Sequence, residues 1–120
     1  MKKFTILMSL ILATIITGSV FAGDTRPAGL KAQLDTMRLE VPTRFECMLS
    51  DIKEDFSDDE STFLYVLKTN IKAYWDIREA DYSDSIVAAA LADFPCDFST
   101  ALYVMKTNSN ASSELGDLLN

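Results

Sequence analysis

Sixteen residues of this chain occur twice. Asp55-Phe-Ser-Asp-Asp-Glu-Ser-Thr-Phe-Leu-Tyr-Val-Leu-Lys-Thr-Asn70 returns 38 residues later as Asp93-Phe-Pro-Cys-Asp-Phe-Ser-Thr-Ala-Leu-Tyr-Val-Met-Lys-Thr-Asn108, and eleven of the sixteen positions are identical. Two of the changes, Phe63/Ala101 and Leu67/Met105, stay apolar. Two copies in a chain of 120 residues imply one structural unit used twice, although two copies fall short of a solenoid. The repeat speaks to architecture and names no reaction.

Apolar residues in both copies recur at helical spacing. Leu64, Leu67, Ile71, Tyr74 and Trp75 continue one face for three turns, which a strand would split between two faces. The third helix is therefore expected from about Asp58 to Glu79. Ser57-Asp-Asp-Glu60 before it matches a capping box, with Asp58 and Asp59 suited to the positive end of the helix dipole. Upstream, Leu30, Leu34, Met37 and Val41 mark a first helix from Ala28. Pro42 ends it and opens a second, from about Thr43 to Asp55, through Phe45, Met48, Leu49, Ile52 and Phe56. Ser83 can cap a fourth helix through Leu91, and Pro95 separates it from a fifth, Cys96 to about Thr107. Asn108 to Ser113 reads as a polar break, with one short turn of helix from Glu114 to Leu119.

The fold class is thus all-α: a small bundle of about five helices, built as two helical hairpins. Helices two and three form one hairpin, helices four and five the other. Cys47 falls on the first and Cys96 on the second, so a disulfide between them would clamp the pair.

Residues 1–22 read as a cleaved export signal. Lys2 and Lys3 precede an apolar run of 13 residues, Phe4 to Ile16, and Val20-Phe21-Ala22 is a small-x-small cleavage site. A bilayer span needs roughly 20 apolar residues. The expected mature chain, residues 23–120, is a single helical domain in the bacterial periplasm. In that oxidising compartment an even pair of cysteines most simply forms one structural disulfide.

Without Lys2 and Lys3 the chain has 9 basic and 18 acidic residues, a net charge of −9. Nucleic acid and anionic membranes need positive charge, so this balance points away from both. It suits a basic partner, or it serves solubility. With no histidine in the chain, Ser-His-Asp and Cys-His catalysis are excluded. No Gly-rich phosphate loop, paired cysteine ligands or EF-hand spacing is present. Neither an enzyme nor a cofactor is expected.

Three surfaces are candidates for binding. Tyr74, Trp75, Asp76, Glu79, Asp81, Tyr82 and Asp84 place large aromatics among acids where the third helix runs into a loop, the residue types that anchor interfaces. In the competing reading Tyr74 and Trp75 finish the core stripe. Glu54, Asp55, Asp58, Asp59 and Glu60 form a second acidic cluster, which capping already explains in part. The third candidate is a semi-apolar face, Thr62, Tyr65, Val66 and Thr69, mirrored by Thr100, Tyr103, Val104 and Thr107. That face is either where the hairpins meet or a surface for another protein, a second subunit included.

With its signal Met1 to Ala22, the Cys47/Cys96 pair, its helical pattern and its acidity, the chain resembles, in general plan, the immunity proteins that protect bacteria from cell-wall-degrading effectors of type VI secretion. The resemblance implies a non-enzymatic inhibitor that plugs the cleft of a basic hydrolase, and allows a homodimer. A second likeness is to the small acid-activated periplasmic chaperones, helical proteins with two cysteines at nearly this separation. A structural subunit of an envelope assembly is a third option.

Overall fold

The computed structural model describes residues 26–120; the export signal read in Met1–Ala22 lies outside them. Among the described residues there are five helices and no strand: α1 (Leu30–Glu40), α2 (Pro42–Phe56), α3 (Glu60–Glu79), α4 (Asp84–Asp93) and α5 (Phe98–Leu119). No helix among them is long and apolar enough to cross a membrane.

Pro42 stands at the first position of α2, where its missing amide costs no hydrogen bond. The second helical stripe lands where the periodicity puts it, with Phe45, Met48 and Ile52 buried. They meet Met37 of α1, Ile71, Tyr74 and Trp75 of α3, and Phe98 of α5 in the main core. A smaller core of Ala90, Ala101 and Met105 lies between α4 and α5. Alanine at both Ala90 and Ala101 lets these two helices approach closely. Half-buried Ile77, Tyr82 and Leu91 touch both cores and join them.

The hairpin pair is held in three ways. Cys47 of α2 and Cys96 of the α4–α5 loop form the disulfide, their Cα atoms 5.3 Å apart. Beside it, Arg44 of α2 donates to the carbonyls of Leu91 (3.3 Å) and Pro95 (3.1 Å). Burial pulls that guanidinium below its ordinary pKa. The third tie is Asn70, whose carboxamide oxygen accepts the Ser99 amide at 3.2 Å. Asn70 in this way supplies an acceptor to the first turn of α5, whose amides have none within the helix.

Two expectations are corrected. The cap of α3 is Asp59, not Ser57, which adopts helical angles at the end of α2. The Asp59 carboxylate accepts from the Thr62 amide (3.0 Å) and hydroxyl (2.7 Å). Asp97 does the same with Thr100 at the start of α5, at 3.1 and 2.6 Å, leaving Cys96 in the loop. The second correction is that α5 runs unbroken through Asn108–Ser113 to Leu119. Asn and Ser fall only a few tenths of a kcal/mol below average helix formers, and this stretch has neither proline nor glycine to stop the helix.

Candidate functional site

The aromatic and acidic segment at the end of α3 is mostly a structural buckle. Trp75 is completely buried and its indole N–H donates to the Gln33 carbonyl at 3.3 Å. The Arg78 guanidinium lies over the indole, 4.8 Å from its centroid. Tyr74 is also buried, its ring edge-on to both Trp75 and Phe98, and its hydroxyl donates to Glu40, which Arg78 also engages at 2.7 Å. Burial, reinforced by the Glu40 charge, raises the Tyr74 pKa well above the ordinary phenol value.

Two of the acids are already paired. Asp76 takes Arg26 and Lys72, each at 2.7 Å, and Glu79 takes Arg26 at 2.6 Å. Burial pushes the Asp76 carboxyl upward, but the hydrogen bonds from Lys72 and Arg26 outweigh it and hold the pKa below the usual range. Asp81 and Asp84 are exposed, and Tyr82 is half-buried between the two cores. The structure therefore keeps Asp81, Asp84 and the edge of Tyr82 at the surface and turns Tyr74 and Trp75 inward. The competing reading, in which that pair finishes the core stripe, is the one the geometry matches.

The other two sequence candidates meet in one place. A cleft of about 500 Å³ opens beside the disulfide, between α2, α3 and the start of α5. Asp51 and Asp55 line it from α2, Tyr65 and Thr69 from α3, and Asp97 from the cap of α5. Buried Ile52 and Asn70 reach it from the core side. Among the described residues no lysine or arginine lines it. Tyr65 stands at its rim, 70 % exposed, while Val66 and Thr69 are half-buried.

The semi-apolar face is thus divided in the first copy, part packed between hairpins and part open. In the second copy Tyr103 and Thr107 are exposed and only Thr100 and Val104 are half-buried. Of the acidic cluster, Asp55 lines the cleft, while Glu54, Asp58 and Glu60 are exposed and Asp59 is occupied as a cap. Asp51 carried no local sequence signal; it becomes a cleft residue only because α2 lies against the α4–α5 loop.

Two carboxylates and an exposed phenol ring, with aliphatic stems between, suit a lysine or arginine side chain. The head group would bond the carboxylates and the ring face would take the cation. Asp97 contributes less, because its oxygens already serve Thr100. Asp51 also lies close to both cysteine sulfurs, but these are joined to each other and offer no thiolate to a metal.

No family model matches this chain, and neither a curated protein nor a solved structure matches it.

Proposed function

We propose that this chain is a periplasmic protein-binding inhibitor of the immunity type, which captures a basic cell-wall-degrading enzyme and occludes its active-site cleft. The observation that carries the reading is the cleft beside the disulfide, acidic, rimmed by an exposed tyrosine and lined by no cationic side chain among the described residues. A net charge of −9 on the mature chain would steer a basic partner toward it and speed encounter, most strongly at low salt. The disulfide at the cleft's edge holds Cys96 and the cap residue Asp97 in place before binding, which limits the ordering cost of association.

The test is capture from bacterial envelope extracts with the mature, disulfide-bonded chain, run beside Asp51→Lys/Asp55→Lys and Asp81→Lys. The reading expects one stoichiometric basic protein whose wall-hydrolysing activity falls on titration with the chain. Capture should fail with the double variant and survive Asp81→Lys. Capture that ignores both cleft substitutions would remove the cleft from the account.

A second reading, acid-activated chaperone, draws on one observation. The Asp76 tie to Arg26 and the Asp59 cap are both carboxylate-dependent and would loosen in acid. Suppression of client aggregation only at low pH would favour it.

A further inference from the structure

Inside the chain, the first copy of the repeat packs on the second. Asn70 bonds the Ser99 amide, and Ala73 and Leu102, the latter 8 % exposed, share one groove and one core cluster. Shifting each of these residues by the repeat interval turns Asn70 into Asn108, Ala73 into Ala111, Ser99 into Ser61 and Leu102 into Leu64. All four counterparts are exposed, Leu64 to 48 %. The chain has made this contact once, and it carries both halves of it again with nothing from its own described residues covering either.

We propose that a second copy of this chain docks head to tail on these surfaces. The outer half of α5 in one protomer would cover the first half of α3 in the next, repeating between chains the contact that α3 and α5 make within one.

The two copies have the same local shape, so the contact can be reproduced. Their turns close with equivalent bonds, Asp59 amide to Phe56 carbonyl and Asp97 amide to Phe94 carbonyl. The aspartate caps match, and so do the threonine hydroxyl bonds, Thr69 to Tyr65 and Thr107 to Tyr103. The length of α5 fits as well. It runs to Leu119, the counterpart of Asp81 just past the end of α3, yet beyond Met105 every residue but Ser109 and Gly116 is exposed. Helices in water draw most of their stability from a packed face, and among the described residues nothing packs along this half.

Charge favours the contact between chains. Within the chain, Lys106 shares a groove with Lys72 and Asp76. The shifted set is Lys68 facing Asn110 and Glu114, which drops the like charge and keeps the opposite one. The disulfide has a counterpart too: Cys47 and Cys96 shift to Ser85 and Asp58, a hydroxyl and a carboxylate. The link between protomers would therefore be polar and reversible where the internal one is covalent. α1 crosses α3 at Tyr74, Trp75 and Arg78, beyond the stretch that the second copy would cover. Each junction would also form a further acidic cleft, from Asp93 and Tyr103 of one protomer and Asp58 of the next. A contact between unlike surfaces propagates into rings or filaments and does not stop at a symmetric dimer.

Two experiments on the mature, disulfide-bonded chain test this. Asp58→Cys and Ser85→Cys chains, mixed and oxidised, should form a heterodimer whose mapped cross-link joins the two substituted positions. Neither chain alone should do so as readily. In sedimentation, the average mass of the wild type should rise with concentration. Leu64→Arg and Asn108→Arg, both at exposed positions, should each remain monomeric with unchanged helicity. Mixed together they should yield a one-to-one dimer and nothing larger, since each keeps the surface the other has lost. A wild type that stays monomeric at every concentration, a mixture that stays monomeric, or cross-linking no greater than in the single variants overturns the proposal.

Discussion

Replacing Asn70 by alanine should cost about 2 kcal/mol, while the same change at its repeat counterpart, Asn108, should cost almost nothing at concentrations where the chain is monomeric. Asn70 is 4 % exposed, the one buried polar side chain among the described residues. Its amide donates to the Val66 carbonyl at 3.0 Å and its oxygen accepts from Ser99 at 3.2 Å. The second bond matters more, because Asp97 serves the Thr100 amide and leaves that of Ser99 to Asn70. Losing it removes a hydrogen bond worth about 1 kcal/mol net, and leaving a half-buried amide unpaired adds about another 1 kcal/mol. The side chain lines the wall of an existing cleft, so its truncation leaves no enclosed void and no separate cavity penalty is added. At roughly 4–8 °C per kcal/mol for a domain of this size, Tm should fall by about 10 °C. Asn108 is exposed, and its truncation should stay within about 0.5 kcal/mol. Urea denaturation followed by far-ultraviolet circular dichroism, with dilute protein and the disulfide intact, measures both. Equal midpoints for the two variants, or a loss below about 0.5 kcal/mol for Asn70→Ala, would refute the role given to this side chain.

Removing the disulfide with Cys47→Ala/Cys96→Ala should cost about 4 kcal/mol in the chain-entropy model for a loop of 49 residues, read as a shift in the urea midpoint. Trp75→Ala should cost about 3–5 kcal/mol as a core truncation and reduce the helical signal, whereas Asp81→Lys should leave stability within about 0.5 kcal/mol. Acid should weaken the fold through Asp76. Its folded pKa lies below the ordinary aspartate value of 3.8, so its stabilisation is complete above that value and is lost as pH falls through the lower folded one. A series of melting temperatures from neutral pH down to pH of about 3 should be flatter for Asp76→Asn than for wild type. Parallel curves would mean that the Arg26 and Lys72 pairs contribute nothing.

The number, order and hairpin pairing of the helices were legible because the apolar stripes at Phe45–Ile52 and Leu67–Trp75 repeat at helical spacing and Pro42 ends one helix and opens the next. The cap of α3 was not, since Ser57-x-x-Glu60 and Asp59-x-x-Thr62 both satisfy capping patterns locally. The repeat itself separates them: Pro95 replaces Ser57 and Phe98 replaces Glu60, while Asp97 and Thr100 keep the aspartate and threonine. The same register places α5 beyond Asn108, because its counterpart in α3 continues there as helix. Composition alone suggested a break.

The aromatic segment was harder to read. Whether Tyr74 and Trp75 face inward depends on α1, which brings Gln33 and Glu40 to them from about forty residues away. The cleft needed three separate segments to converge, and only two of them, at Asp55 and at Tyr65, stood out along the chain. Asp51 and Asp97 owe their place in it to the packing of α2 and α3 against the start of α5.

The central claim is that the acidic cleft binds a basic protein. Calorimetric titration of the captured partner with wild-type chain and with Asp51→Lys/Asp55→Lys tests it most directly. The account predicts one-to-one binding that weakens with salt and disappears in the double variant, whose melting temperature stays near that of wild type. Undiminished, salt-independent binding by the folded double variant would contradict it.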